Sequence, residues 1–322
     1  MTDSDRYRPV DVPVRGGDLR VGIWESEAGS AESPTVLAVH GITASHRSWA
    51  AVADRLPDVR VIAPDLRGRG RSRDLPGPYG IFGHTDDLTA VLDHLDVPAA
   101  TVMGHSMGGF VTMAVVHRYR ERVAGAVLVD GGLPLPVPEG LTPDEATAAI
   151  LGPAYQRLTM TFADPESYRR FMRANPAFGD WNEWIADYID YDLVGEPPNL
   201  RPSTPFEAMA EDSRSLQGAA EWLLPALGAL SGFARPTPFL RAPKNLVDAE
   251  PGMYPAPWVD RWAGQFPGLD VRAVPGTNHY SLMFTAPGVA AITAAVRDVL
   301  PDGAPGGTQG PGIVQTELSD LR

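Results

Sequence analysis

The 322-residue sequence contains no cysteine. That excludes disulfides, thiolate metal sites and a cysteine nucleophile, and it removes one usual indicator of redox compartment. An apolar leader is also missing: the stretch 1–8 is polar, which reads as a cytoplasmic protein. No segment approaches the roughly 18 continuous apolar residues that a membrane-spanning helix needs. Positive charge is scarce, with 27 Lys and Arg against 40 Asp and Glu. The resulting net charge of −13 repels nucleic acid and anionic membranes, so neither is expected as a partner. No phosphate-cradling loop and no metal-ligand spacing is visible, so neither an organic cofactor nor a metal is expected.

What is present suits a globular chain. Hydrophobic residues make up 43% and charged residues 21%, ordinary values for a domain with a sizeable buried core. Two apolar-alternating runs, 10–14 and 19–24, flank Arg15-Gly16-Gly17-Asp18 and predict a hairpin. The runs 34–39, 59–64, 100–103 and 123–129 are apolar on both faces and alternate with helical stretches, the pattern of a buried parallel sheet. On the helix predicted over 86–96, Leu88, Val91, Leu92 and Leu95 share a face, and Asp93 and His94 lie off it as solvated positions. The four arginines of 66–73 sit among glycines and read as a solvated loop rather than a phosphate patch.

Beyond residue 132 the character changes. Residues 133–235 are rich in proline and short aromatic helical pieces, which reads as a helical cap inserted between strands of one core, 1–132 and 236–300. Trp181, Trp184, Tyr188 and Tyr191 recur at helical spacing, so most of that stripe is expected to be buried; Trp181, Trp184 and Tyr188 are the candidate substrate contacts. Residues 301–322 carry too little apolar content to fold alone and read as a flexible tail.

Chemistry centres on Gly104-His105-Ser106-Met107-Gly108. The pentapeptide by itself is a weak signal, but here it joins an apolar strand to the apolar helical run 109–116. In that context it is a nucleophile elbow, which presents the Ser106 hydroxyl on a sharp turn. A serine hydroxyl needs a base in contact and a third group to orient that base. Of seven histidines, His40 belongs to a His-Gly turn, His105 points away inside the elbow, and His94 and His117 sit on helices. His279 follows the last strand at the edge where Ser106 emerges, and is the candidate base.

Taken together, His40-Gly41, Pro64-Asp65-Leu66-Arg67-Gly68, Gly104-His105-Ser106-Met107-Gly108-Gly109 and Gly276-Thr277-Asn278-His279 resemble the α/β-hydrolase family over nearly the whole chain. The resemblance implies an eight-stranded, mostly parallel sheet with helices on both faces and a helical cap. It also implies an oxyanion hole formed by the backbone N–H groups of Met107 and Ile42.

The acid departs from the family pattern. The usual aspartate slot after the strand that follows the cap holds Asn245, whose amide carries no charge to stabilise an imidazolium. Asp248 lies three residues on and could reach by a loop detour, or else serve as a surface carboxylate beside Glu250. Asp130 ends the run 123–129; its alternative role is to cap the turn before Gly131-Gly132. Strand ends lie side by side, which favours Asp130. An acid there is similar to the arrangement in zearalenone-type lactonases, some polyketide thioesterase domains and some haloalkane dehalogenases, and Ser106 argues against the last. The expectation is a serine hydrolase acting on a small-molecule ester or lactone, most specifically a resorcylic macrolactone such as zearalenone. A general carboxylesterase or thioesterase, and a receptor of the same fold without turnover, are the alternatives. A homo-oligomer stays open.

Overall fold

The computed structural model describes residues 5–29, 33–137, 140, 142, 145, 152, 154–217 and 219–301. The expected tail falls outside them from residue 302 on, as does much of 138–153.

The alternating apolar residues around Gly16-Gly17 form β1 (Tyr7–Val14) and β2 (Gly17–Trp24), antiparallel with Val12 opposite Leu19. The continuous apolar runs become β3 (Thr35–Val39), β4 (Arg60–Pro64), β5 (Ala100–His105) and β6 (Val123–Val129). A two-stranded ribbon, β7 (Leu193–Val194) and β8 (Arg201–Pro202), precedes β9 (Thr237–Arg241) and β10 (Leu269–Ala273). The main sheet has eight strands in the order β1-β2-β4-β3-β5-β6-β9-β10. Its first two pairings, β1 with β2 and β2 with β4, are antiparallel, and the rest are parallel.

Because successive side chains of a strand point to opposite faces, each central strand feeds two cores. Val102, Leu128 and Phe239 enter one, which is covered by the helices Ile81–His94, Met107–Arg118, Ala220–Ala229 and Ala256–Gln265. Met103, Val127, Val129 and Leu240 enter the other, under the helices Ala50–Asp54 and Ala286–Val299. Among the described residues no helix is long and apolar enough to cross a membrane.

Two local expectations change. Arg67 and Arg69 are fully buried instead of solvated, because each guanidinium meets a carboxylate from a distant helix: Asp87 for Arg67 and Asp212 for Arg69. Composition of the 66–73 loop carries no trace of those partners. The 133–235 stretch also divides. Pro165–Arg173 starts with an Asp164–Ser167 capping box, Glu183–Tyr191 is capped by Asn182, and Phe206–Gln217 follows the ribbon. Ala220–Ala229, by contrast, packs on Met107–Arg118 and places Leu223, Ala226 and Leu227 in the first core, so it serves the sheet layer.

Candidate active site

Strand β5 runs into Ser106, and the helix Met107–Arg118 begins at the next residue. The turn between them is strained: Ser106 has φ 56° and ψ −122°, a region costing a non-glycine residue on the order of 1–3 kcal/mol. Close approach makes it possible. A Cβ on Gly108 would lie 2.0 Å from the carbonyl oxygen of Val39, so only glycine lets the helix start against β3. Ser106 N–H donates to the Val129 carbonyl of β6 at 3.0 Å, which fixes the elbow to its neighbouring strand.

Asp130 is the residue after β6, at φ 46°, a left-handed conformation that aspartate tolerates better than most side chains. Its N–H donates to Leu240 at 2.8 Å, and its Oδ1 accepts from the Ala242 N–H at 3.1 Å. Its other oxygen, Oδ2, lies 2.8 Å from Nδ1 of His279, and both side chains are buried. Asp248 does not touch His279: its carboxylate accepts from Asn278 Nδ2 and from Lys244 Nζ, each at 2.9 Å. Asn245 builds the turn before it, with Oδ1 accepting from the N–H groups of Val247 and Ala249 at 3.0 and 3.2 Å.

The His279 loop has supports that local sequence patterns do not reveal. Asn278 Oδ1 accepts from the Tyr280 and Ser281 N–H groups at 2.9 and 2.8 Å, and its Nδ2 also donates to the Ala177 carbonyl at 3.1 Å. His105 lines the same cavity as Ser106, with its ring centroid 4.5 Å from that of His279, and its Nε2 donates to the His279 carbonyl at 2.9 Å. Burial first, and the neighbouring His279 second, keep His105 well below the ordinary histidine range, so it is neutral.

The loop after β3 completes the surroundings. Burial pushes His40 down to about 3, so its ring is neutral; Nε2 accepts from the Leu66 N–H at 3.0 Å and Nδ1 donates to the Gly41 carbonyl at 2.8 Å. A Cβ on Gly41 would lie 3.2 Å from Ser106 Cβ, which measures how near the Gly41-Ile42 backbone comes to the serine. Ser106, His279, Gly41, Ile42, Tyr188 and Met283 line one cavity of about 40 Å³. Among the described residues no hydrogen bond joins Ser106 Oγ to His279.

Of the three aromatic candidates, only Tyr188 reaches that cavity. The helix Glu183–Tyr191 turns Ile185, Tyr188 and Ile189 inward, leaving Trp184 half-buried at the side, and Trp181 precedes the helix under the Arg173 guanidinium at 4.4 Å. Tyr191 contributes differently, donating to Asp65 Oδ2 at 2.7 Å and so tying this helix to the end of β4.

Residues 34–163 match the family described as alpha/beta hydrolase fold. Lipase LipV of Mycobacterium tuberculosis is 32% identical over 165 residues, covering 51% of this chain and 58% of the lipase. Bifunctional esterase/perhydrolase DCH of Acinetobacter calcoaceticus is 30% identical over 162 residues, 49% of this chain and 58% of that protein. The chain thus spans just over half the length of these two curated relatives. A crystal structure of an alpha/beta hydrolase from Novosphingobium aromaticivorans superposes with a TM-score of 0.70 at 23% identity, over 91% of this chain and 99% of that one. At that identity the likeness concerns the fold alone.

Proposed function

Starting from an alpha/beta hydrolase by fold, we propose that this chain hydrolyses carboxylic esters through an acyl-enzyme on Ser106. The observation that supports it is the buried 2.8 Å contact of Asp130 with His279 beside the cavity that holds the serine. The names of the lipase and esterase relatives support the same reaction class.

Asp130 keeps the His279 proton on Nδ1, which leaves Nε2 free to act as base. His279 takes the Ser106 proton as Oγ attacks the ester carbonyl. The N–H groups of Met107, at its helix N-terminus, and of Ile42 receive the oxyanion. His279 then gives its proton to the departing alcohol, and a water deprotonated by His279 releases the acid and restores the serine. Asp130 stays ionised throughout and stabilises the imidazolium in both half-reactions.

Among the described residues the cavity is far smaller than the roughly 300–1,000 Å³ typical of ligand sites. That favours small acyl groups. The narrower reading, a zearalenone-type macrolactone, draws support from an acid placed after β6 and from the Tyr188 ring at the cavity. The test is turnover of p-nitrophenyl butyrate and of zearalenone in parallel, with the expectation of many product equivalents per protein and none for Ser106→Ala. A single-turnover burst with no further product would sink the enzyme reading in favour of a receptor.

A further inference from the structure

Arg69 is a buried cation that the proposed ester chemistry leaves unused. A charge survives burial only with a partner, and here the partner is Asp212, equally inaccessible, on the helix Phe206–Gln217. Asp212 is held in turn by the Gly80 N–H at 2.6 Å and by His84 Nε2 at 3.0 Å. Burial alone would raise the Asp212 carboxyl, but Arg69 and then His84 outweigh it and keep it below the usual carboxylate range, so the pair is charged.

The rest of the guanidinium faces the loop after β3. Its Nε donates to the Ile42 carbonyl at 2.9 Å and its Nη1 to the Arg67 carbonyl at 2.9 Å. On the other side of Ile42, the Gly41 carbonyl accepts from His40 at 2.8 Å and from the Ala44 N–H at 3.1 Å. The carbonyls before and after the Ile42 amide are therefore both tethered, which fixes the dihedrals on either side of it. One tether, His40, belongs to the sheet edge; the other, Arg69, is anchored on a helix from the stretch after β6. We infer that Arg69 is a positioning residue that aims the Ile42 amide at the oxyanion, and that its Asp212 anchor makes this aim depend on the seating of the helix Phe206–Gln217. This rests on the ester-hydrolase reading of Ser106. The guanidinium spreads its donors, with Nε on the Ile42 carbonyl and an Nη on Asp212, a separation that the compact ammonium of lysine does not reproduce, so lysine is not an equivalent.

The experiment uses the full chain carrying R69K together with D212E, which trades one side-chain length for the other and keeps a buried ion pair without the Nε donor. Steady-state kcat and KM for p-nitrophenyl butyrate, inhibition by phenylboronic acid and the thermal midpoint are measured against D87N. The D87N change breaks the neighbouring Arg67–Asp87 pair, which does not touch Ile42. The double variant should fold and lose about 10²-fold in kcat with KM little changed. Because a boronate adduct occupies the same hole, its inhibition should weaken in parallel. The D87N variant should lose thermal stability and keep its kcat. A folded double variant with wild-type kcat, a kcat loss of the same size in D87N, or failure of both R69K and the double variant to fold would each overturn the positioning role. Turnover surviving in Ser106→Ala would instead sink the ester reading itself.

Discussion

Asp130 and Asp248 are both aspartates near strand ends, and they differ in what surrounds them. Asp130 is fully buried, with one oxygen on a backbone N–H and the other on His279. Asp248 is 32% exposed at its side chain and holds Asn278 and Lys244. Asp130→Asn should therefore cost about 10⁴ in kcat, because an amide favours the wrong imidazole tautomer and carries no charge. Asp248→Asn keeps an acceptor for Asn278 and should stay within about tenfold of wild type. Steady-state kinetics of the two variants on one ester decides it; a collapse confined to Asp248→Asn would reverse the assignment. At this scale the sequence favoured Asp130 on its strand-end position but kept Asp248 as an alternative, since Asn245 in the customary slot removed the usual positional clue.

The elbow depends on how closely elements approach. A Cβ on Gly131 would lie 2.0 Å from the Ser106 carbonyl oxygen, a contact with backbone that no rotamer change relieves. Gly131→Ala should push the turn after β6 away from the elbow, disturbing Asp130 and Ser106 together. A loss of about 1–3 kcal/mol in stability, typical of overpacking, and a large loss of turnover are expected. Gly264, at an exposed position of the helix Ala256–Gln265, has open space where its Cβ would go. There Gly264→Ala should stabilise by about 0.5–1 kcal/mol through helix propensity and leave activity alone. Urea unfolding of the two variants gives opposite shifts if close approach, and not glycine content, sets the elbow; equal shifts would contradict this account. The glycines were visible in the sequence as an elbow signature, whereas the contact between Gly131 and Ser106 exists only because β5 and β6 are neighbours.

Across the molecule, buried ionisable groups push the acid response one way. His40 is pushed from its ordinary 6.5 to about 3 by burial, and His105 is lowered as well. Each is neutral in the native state, so the unfolded chain binds more protons between 6.5 and the native value. The stability these histidines contribute is complete above pH 6.5 and is lost as pH falls toward 3. Asp65 and Asp212 are also held below the ordinary carboxylate range: burial opposes their charge, but His46 at Asp65 and Arg69 at Asp212 outweigh it. Their contribution is present above about pH 4 and fades below it. Thermal midpoints should therefore fall steadily from pH 7 to 4, with the histidines dominating the upper part of that window. A midpoint that is flat from pH 7 to 5 would show that these rings are not held neutral by burial.

By itself the sequence determined what short-range physics encodes. Apolar runs on both faces marked the parallel strands, the Gly16-Gly17 turn marked the hairpin, and the strand-to-helix setting of Gly104 to Gly108 placed Ser106 on a sharp turn with His279 past the final strand. The tertiary structure decided what depends on meetings between distant residues. His279 and Asp130 are 149 positions apart and come within 2.8 Å because β6 and β10 flank β9. Tyr188 reaches the cavity while Trp184 does not, because packing rotates the helix Glu183–Tyr191 to bury Ile185 and Ile189, and Trp181 lies before that helix under the Arg173 guanidinium. Arg67 and Arg69 look solvated among glycines until Asp87 and Asp212 arrive from other helices. Periodicity and turn chemistry act over a few residues and survive in the chain alone, whereas burial and ion pairing act between elements whose order in space differs from their order in sequence.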